Sequence, residues 1–351
     1  MRFHLLVGTL GLLMAAGPAL AVDDIAVAED AAFDHQRTQI SFPPNLEGMD
    51  RKRVRDFGTE QHDVAAMYET DDQATFLTLY VYRAGLPDAS LSFDRLIRVM
   101  AAREGFLPAG TGSLVPTTFR PTGSATSTGL AIAYDLAPGQ PNSATGALLF
   151  PHGSWLIKLR ATSSALDASQ LGQLLRRVEA SLKLPEPGFL SQPAYAVEAC
   201  STQLAAGTAT RLEPEQAAVA AIAVMMDGVS SSQNEQGEKV PLPDVRWCRD
   251  ERVEGLNVYR PDEATDRYAI AFGDSGNALF VGISMQELPG VGRHDQGVPI
   301  IYADADRIML MAMTDRPPDP ATAWEIAQDA QALAINDRDG NVQINTPGPA
   351  E

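Results

Sequence analysis

The run Pro185-Glu186-Pro187-Gly188 sets the strongest limit on how this chain can fold. Two prolines without backbone N–H donors, followed by a glycine, cannot be carried through a helix interior or a central strand, so regular structure must stop there. The break divides 351 residues into two stretches of ordinary domain size, 38–184 and 190–336. Hydrophobic residues make up 45% of the chain, enough for each stretch to bury a core. The stretches also end alike. At a spacing of about 152 residues, Leu148-Leu149-Phe150 overlies Ile300-Ile301-Tyr302, Leu156-Ile157 overlies Ile308-Met309, and Asp167 overlies Asp319. Either the second stretch duplicates the first, or two hairpins followed by capped helices align through their common form.

In the first stretch Thr75 to Tyr82 alternates Phe76, Thr78 and Tyr80 with Leu77, Leu79 and Val81, which predicts a strand covered on both faces. A helix is expected from a cap at Ser92, with Phe93, Leu96, Ile97 and Met100 on one side and Gly105 at its stop. Strands return at Gly129 to Leu136 and in a hairpin of Ala147 to Phe150 with Trp155 to Ala161. Asp167 and Gln170 have capping-box spacing ahead of a helix through Leu171, Leu174, Leu175, Val178 and Leu182. In the second stretch Pro214 opens a helix through Val219, Ile222 and Met226, and Ser230 to Lys239 reads as a loop. Strands are expected at Val245 to Cys248, Leu256 to Tyr259, Tyr268 to Phe272 and Leu279 to Ser284, and in a hairpin from Pro299 to Met313. Asp319-Pro320 caps a final helix. The expected class is α+β: two domains, each a mainly antiparallel sheet with packed helices.

The first residues have the layout of a secretory signal: Arg2, an apolar run from Leu5 to Ala16, Gly17-Pro18, then Ala19-Leu20-Ala21 as a small-residue cleavage site. The apolar run is too short for a bilayer, which takes about 20 apolar residues. Residues 1–21 are expected to be removed, leaving no membrane span and a periplasmic or secreted protein. An uncleaved anchor is the rival, which the cleavage site disfavours. In an oxidising compartment Cys200 and Cys248 are expected to form a disulfide, with a nucleophilic cysteine as the lesser alternative. There is no C-x-x-C and the five histidines are scattered, so neither a metal nor another cofactor is expected. The net charge is −18, of which −4 falls up to residue 187 and −14 beyond it, and this disfavours nucleic acid as a partner.

From Ile40 to Leu184 the order is paired strands, a central helix, further strands and a closing helix, with Trp155-Leu156-Ile157-Lys158-Leu159-Arg160 as the last strand. This order resembles the PsbP-like α/β/α sandwich. Ile40-Ser41-Phe42-Pro43 and Tyr80-Val81-Tyr82-Arg83 are similar to segments of uncharacterised exported bacterial proteins. The PsbP-like resemblance implies a noncatalytic module that binds or stabilises a partner, and no catalytic residue carries over.

Gly273-Asp274-Ser275-Gly276 is similar to the nucleophile segment of chymotrypsin-like proteases, but no histidine stands in that family's Ala-Ala-His-Cys setting. Between two strands, Gly, Asp and Ser are also what a hairpin turn requires, and the turn is the favoured reading. Arg51, Arg53 and Arg55 would share one face of a strand and could dock an acidic group; an edge strand guarded by positive charge is the simpler reading. His62-Asp63 and His294-Asp295 are neighbours that a strand would point to opposite faces. Asn336 to Asn341 lacks calcium-loop spacing and reads as a turn, with residues 337–351 expected to be a disordered tail. The expected function is an accessory or binding protein that recognises a partner protein or envelope component through its surface. The alternatives are a serine hydrolase using Ser275 and a small-ligand carrier using the cleft between the domains.

Overall fold

A computed structural model describes residues 22–85, 88–110, 112, 114–186, 191–213, 216–217, 245–283, 297–337 and 341–345. The expected signal segment, the body of the helix expected after Pro214, the Ser230 to Lys239 loop and His294-Asp295 lie outside them.

The first half runs β1 (Asp23–Ile25), β2 (Phe33–Asp34), β3 (Ser41–Phe42), β4 (Asn45–Leu46), β5 (Met49–Asp56), β6 (Asp63–Glu69), β7 (Thr75–Tyr82) and α1 (Ala89–Ala102). It continues with β8 (Thr117–Phe119), β9 (Gly129–Asp135), β10 (Ala144–His152), β11 (Trp155–Ser163) and α2 (Ala168–Ser181). The second half runs β12 (Glu198–Ala199), β13 (Trp247–Arg249), β14 (Val258–Pro261), β15 (Tyr268–Phe272), β16 (Asn277–Val281), β17 (Val298–Ala303) and β18 (Ile308–Thr314). It closes with α3 (Pro320–Asp329), β19 (Ala334–Asn336) and β20 (Val342–Ile344).

One sheet has the order β1-β5-β6-β7-β11-β10-β9-β8, with β4 beside β5. The other takes β12 to β20 in sequence order, and β2 and β3 form a separate hairpin. Apart from the parallel β12–β13 pair, neighbouring strands are antiparallel. Among the described residues three helices accompany twenty strands. The antiparallel sheets agree with expectation, but the helix content corrects the α+β class: this is a mainly-β architecture.

Local chemistry sets the helix starts. The Asp167 carboxylate accepts the Gln170 N–H at 2.8 Å while the Gln170 side chain accepts the Asp167 N–H at 3.1 Å, completing the capping box. The Asp319 carboxylate likewise accepts the Thr322 N–H at 3.0 Å. In α1 the cap is Asp88, not Ser92, and its carboxylate accepts the Leu91 N–H at 2.9 Å. The helix therefore begins a turn earlier than the apolar spacing suggests, with Ser92 buried inside it.

The packing explains that early start. On one face of the first sheet, Val54, Val64, Leu79, Ile157 and Leu159 pack against Leu171, Leu175 and Val178 of α2 and against Phe42. On the other face, Leu130, Ile132, Ala147 and Leu149 pack against Phe93, Leu96 and Met100 of α1. Leu91 of α1 belongs instead to the core of the second sheet, beside Tyr259, Ala271, Phe280 and Ile301. The outer face of that sheet packs on Ala323 and Ile326 of α3. α1 is thus shared between the two sheets, which is why its first turns are buried all round.

One further expectation is corrected. Val342–Ile344 is not part of a disordered tail: it pairs with β19 in the register Ala334↔Ile344, and the Asp337 carboxylate accepts the Asn341 N–H at 3.0 Å. The alignment at about 152 residues lays β10, β11 and α2 over β17, β18 and α3; beyond it the neighbours differ, since β11 lies beside β7 and β18 beside β19.

Candidate functional site

The sheet register places a mixed basic and apolar row on the α1 side of the first sheet. Across β5, β6, β7 and β11 it runs Arg53, Met67, Thr78, Arg160. The adjacent rows hold Arg55, Ala65, Tyr80 and Lys158 on one side, and Glu69, Phe76 and Thr162 on the other. α1 lies over β9 and β10 and leaves this part of the face open. Arg53 is exposed, Phe76 is 47% exposed, and Met67, Thr78, Tyr80 and Arg160 are half-buried. The opposite face of the same strands is buried beneath α2 and the segment around Ile40 and Phe42.

A bulge at Lys52 decides where the three arginines go. The pairing slips between Arg51 and Arg53, so the two side chains leave the strand on opposite faces. Arg51 turns inward, 7% exposed, and donates to the Phe42, Ala28 and Ala31 carbonyls at 2.8, 2.9 and 2.7 Å. It ties the amino-terminal segment to the sheet and is no docking residue, which corrects the expectation of a three-arginine face. Arg55 donates to Asp24 Oδ1 at 2.8 Å, and Arg53 Nε lies 3.9 Å from the same oxygen. The Arg55 bond and the nearby Arg53 charge hold the Asp24 carboxyl below its ordinary range.

At the border of this face the second half docks. Lys158, 3% exposed, donates to the Asp274 carbonyl at 2.9 Å and to its carboxylate at 3.2 Å, with its ammonium 4.3 Å from the centre of the Tyr80 ring. Burial raises the Asp274 carboxyl, but the Lys158 charge and bond outweigh it and leave the group below its ordinary range. Asp274 and Ser275 lie in the β15–β16 turn, between Gly273 and Gly276, both left-handed. A Cβ on Gly276 would come within 2.5 Å of the Ala84 Cβ, so glycine is what lets this turn close on the first half. Among the described residues the turn's charged partner is a lysine that binds Asp274, and Ser275 has no histidine bonded to it.

The junction is closed elsewhere too. Asp94 of α1 accepts from Arg249 Nη1 at 2.6 Å and from the Tyr259 hydroxyl at 2.7 Å, and His62 Nδ1 meets Asp306 Oδ1 at 2.9 Å. The His62 bond and those from Thr59 outweigh burial and hold the Asp306 carboxyl down at about 2. Asp63, next to His62 but feeling Lys158 and Asp274, is raised by burial to about 6. A cavity between Leu91, Ser92 and Arg95 of α1 and Ala271, Asp274 and Phe280 measures about 10 Å³, room for one water.

Cys200 and Cys248 are disulfide-bonded. Beside them Glu263, in a left-handed backbone conformation, accepts the Ser201 and Thr202 N–H groups at distances of 2.9–3.0 Å. Those bonds pull its carboxyl down to about 2. Cys200, Cys248 and Glu263 are the one grouping of three metal-ligand types among the described residues, and its two sulfurs are bonded to each other. No helix among the described residues is long and apolar enough to cross a membrane.

Lys158 and Arg160 stand in the last strand of the hairpin without an expected role. The signal is present: two cations at i and i+2 in a strand whose alternate positions, Ile157 and Leu159, are core. No protein-family model, no curated protein and no solved structure matches the chain.

Proposed function

We propose that this is an exported accessory or binding protein, periplasmic or secreted, that recognises a partner protein or envelope component through the open face of its first sheet. The observation that carries the reading is the row Arg53, Met67, Thr78, Arg160, a cationic and apolar surface in a chain of net charge −18. Such a surface suits a partner that presents acidic and apolar groups side by side, because charge complementarity steers the encounter and apolar contact holds it. The PsbP-like element order of residues 40–184 supports a noncatalytic role. Residues 38–184 and 190–336 are read as two domains joined through α1. Surface recognition is favoured over a ligand carrier because, among the described residues, the cavity beside α1 at the junction admits only about one water.

Reversing both ends of the row, Arg53→Glu with Arg160→Glu, is expected to weaken co-purification of the partner from the native envelope about tenfold or more. Unchanged recovery would overturn the reading. Covalent labelling of Ser275 by a serine-directed probe, lost in Ser275→Ala, would favour the hydrolase instead.

A further inference from the structure

The first strand brings a carboxylate onto the open face. β1 is an edge strand held to β5 over Asp23↔Asp56, Asp24↔Arg55 and Ile25↔Val54. Side chains alternate between the faces of a strand, and that decides where each goes. Val54 lies in the core beneath α2 and Ile25 packs against that core, so Asp24, one residue earlier, stands on the opposite face with Arg53 and Arg55. There Asp24 Oδ1 accepts from Arg55 Nε at 2.8 Å and lies 3.9 Å from Arg53 Nε. Among the described residues no other carboxylate pairs with either arginine.

The hold is shallow. The side chains of Asp24 and Arg53 are 60% and 48% exposed, and ion pairs open to water in this way are weak and screened by salt. β1 adds only three residue pairs to the sheet. Behind it the chain is fixed independently, by the bonds of Arg51 to the Ala28 and Ala31 carbonyls. Asp24 can therefore leave the two arginines while the sheet and the segment that follows stay in place.

We infer that Asp24 is a resident competitor on the open face, occupying the guanidiniums that a carboxylate of the partner would take, so that partner binding displaces it. This rests on the proposed use of the open face and adds its regulation. Exchanging one carboxylate for another gains little, so the surplus must come from apolar contact at Met67 and Phe76. A partner that displaced Asp24 without a carboxylate of its own would leave Arg55 unpaired, which selects against it.

Asp24→Ala tests it beside Asp23→Ala, which removes the same charge from the opposite face of β1. In the purified full chain, phenylglyoxal, an arginine-directed reagent, is expected to modify Arg55 about two- to fivefold faster in Asp24→Ala than in the parent chain or in Asp23→Ala, read by mass spectrometry. With the native envelope, Asp24→Ala is expected to raise recovery of the partner by a similar factor at low salt, and the gain should fade at about 1 M salt, where charges are screened beyond about 3 Å. An unchanged rate at Arg55, no gain in recovery, or a gain that Asp23→Ala equals would overturn the competitor. If Arg53→Glu with Arg160→Glu still lowers recovery, the face stands without it. If that reversal also changes nothing, the face is wrong and the competitor falls with it.

Discussion

Arg260→Ala is expected to destabilise the protein by about 3–5 kcal/mol, the effect of leaving one charge of a buried pair without its partner. Arg260 is the largest fully buried side chain and has no exposure, and Asp250 is 3% exposed. Arg260 Nε lies 3.1 Å from Asp250 Oδ2, and Nη1 donates to the Ala264 carbonyl at 2.7 Å and to Thr202 Oγ1 at 3.0 Å. Nη2 donates to the Thr202 carbonyl. Removing the guanidinium strips three loop acceptors and Asp250 at once, in a place water does not reach. The pair Arg260→Met with Asp250→Leu should cost far less, since replacing both partners by apolar groups removes the desolvation penalty along with the attraction. Denaturant midpoints check both. A loss for Arg260→Ala below about 1 kcal/mol would show that the network adjusts and does not hold the loops.

Replacing Cys200 and Cys248 together by alanine should cost about 4 kcal/mol, from the unfolded-chain entropy that a bridge across a separation of 48 residues removes. The bridge has structural company. It joins Cys200, just after β12, to β13, whose mutual pairing is only Glu198↔Cys248 and Ala199↔Arg249. So short a parallel pair has little stability of its own. The loss should therefore appear first as rapid exchange of the residue 200 amide, which donates to the Arg249 carbonyl at 2.9 Å, and of those at Ser201 and Thr202. Because Thr202 also binds Arg260, the cysteine and Arg260 variants share partners, and their costs should fail to add. Full additivity would mean that the bridge and the ion pair support separate pieces of the fold.

What the sequence makes legible follows the range of the interactions. The capping box of Asp167 and Gln170 and the Asp319 cap spend their bonds within three residues, so their spacing is visible in the chain itself. The two-faced strand at Thr75–Tyr82 is legible by its alternation, and the cysteine pair through the export expected from the first residues. The bulge at Lys52 is not, because a bulge leaves no regular mark in the sequence and yet exchanges the faces of Arg51 and Arg53. The sharing of α1 is hidden for another reason. Ala89, Ser90 and Ser92 are small residues that look like a helix approach, yet Leu91 among them packs into the core of the second sheet and Ser90 Oγ accepts the Tyr195 N–H at 3.1 Å, both contributed from beyond residue 190. The rows that bring Arg53, Thr78 and Arg160 together depend on β11 inserting beside β7, a pairing across most of the first half. No local pattern announces it, and with it goes the candidate site.

If the open face of the first sheet meets a partner, photo-crosslinking from single positions in cells that make this protein will capture it there. A photoreactive residue at Thr78, in the middle of the row, is compared with one at Gln173, exposed on α2 on the far side of the sheet. One discrete adduct is expected from position 78, lost when Arg53 and Arg160 are reversed to Glu, and none of that mass from position 173. Equal adducts from both positions, or an adduct from position 78 that survives the reversal, would contradict it.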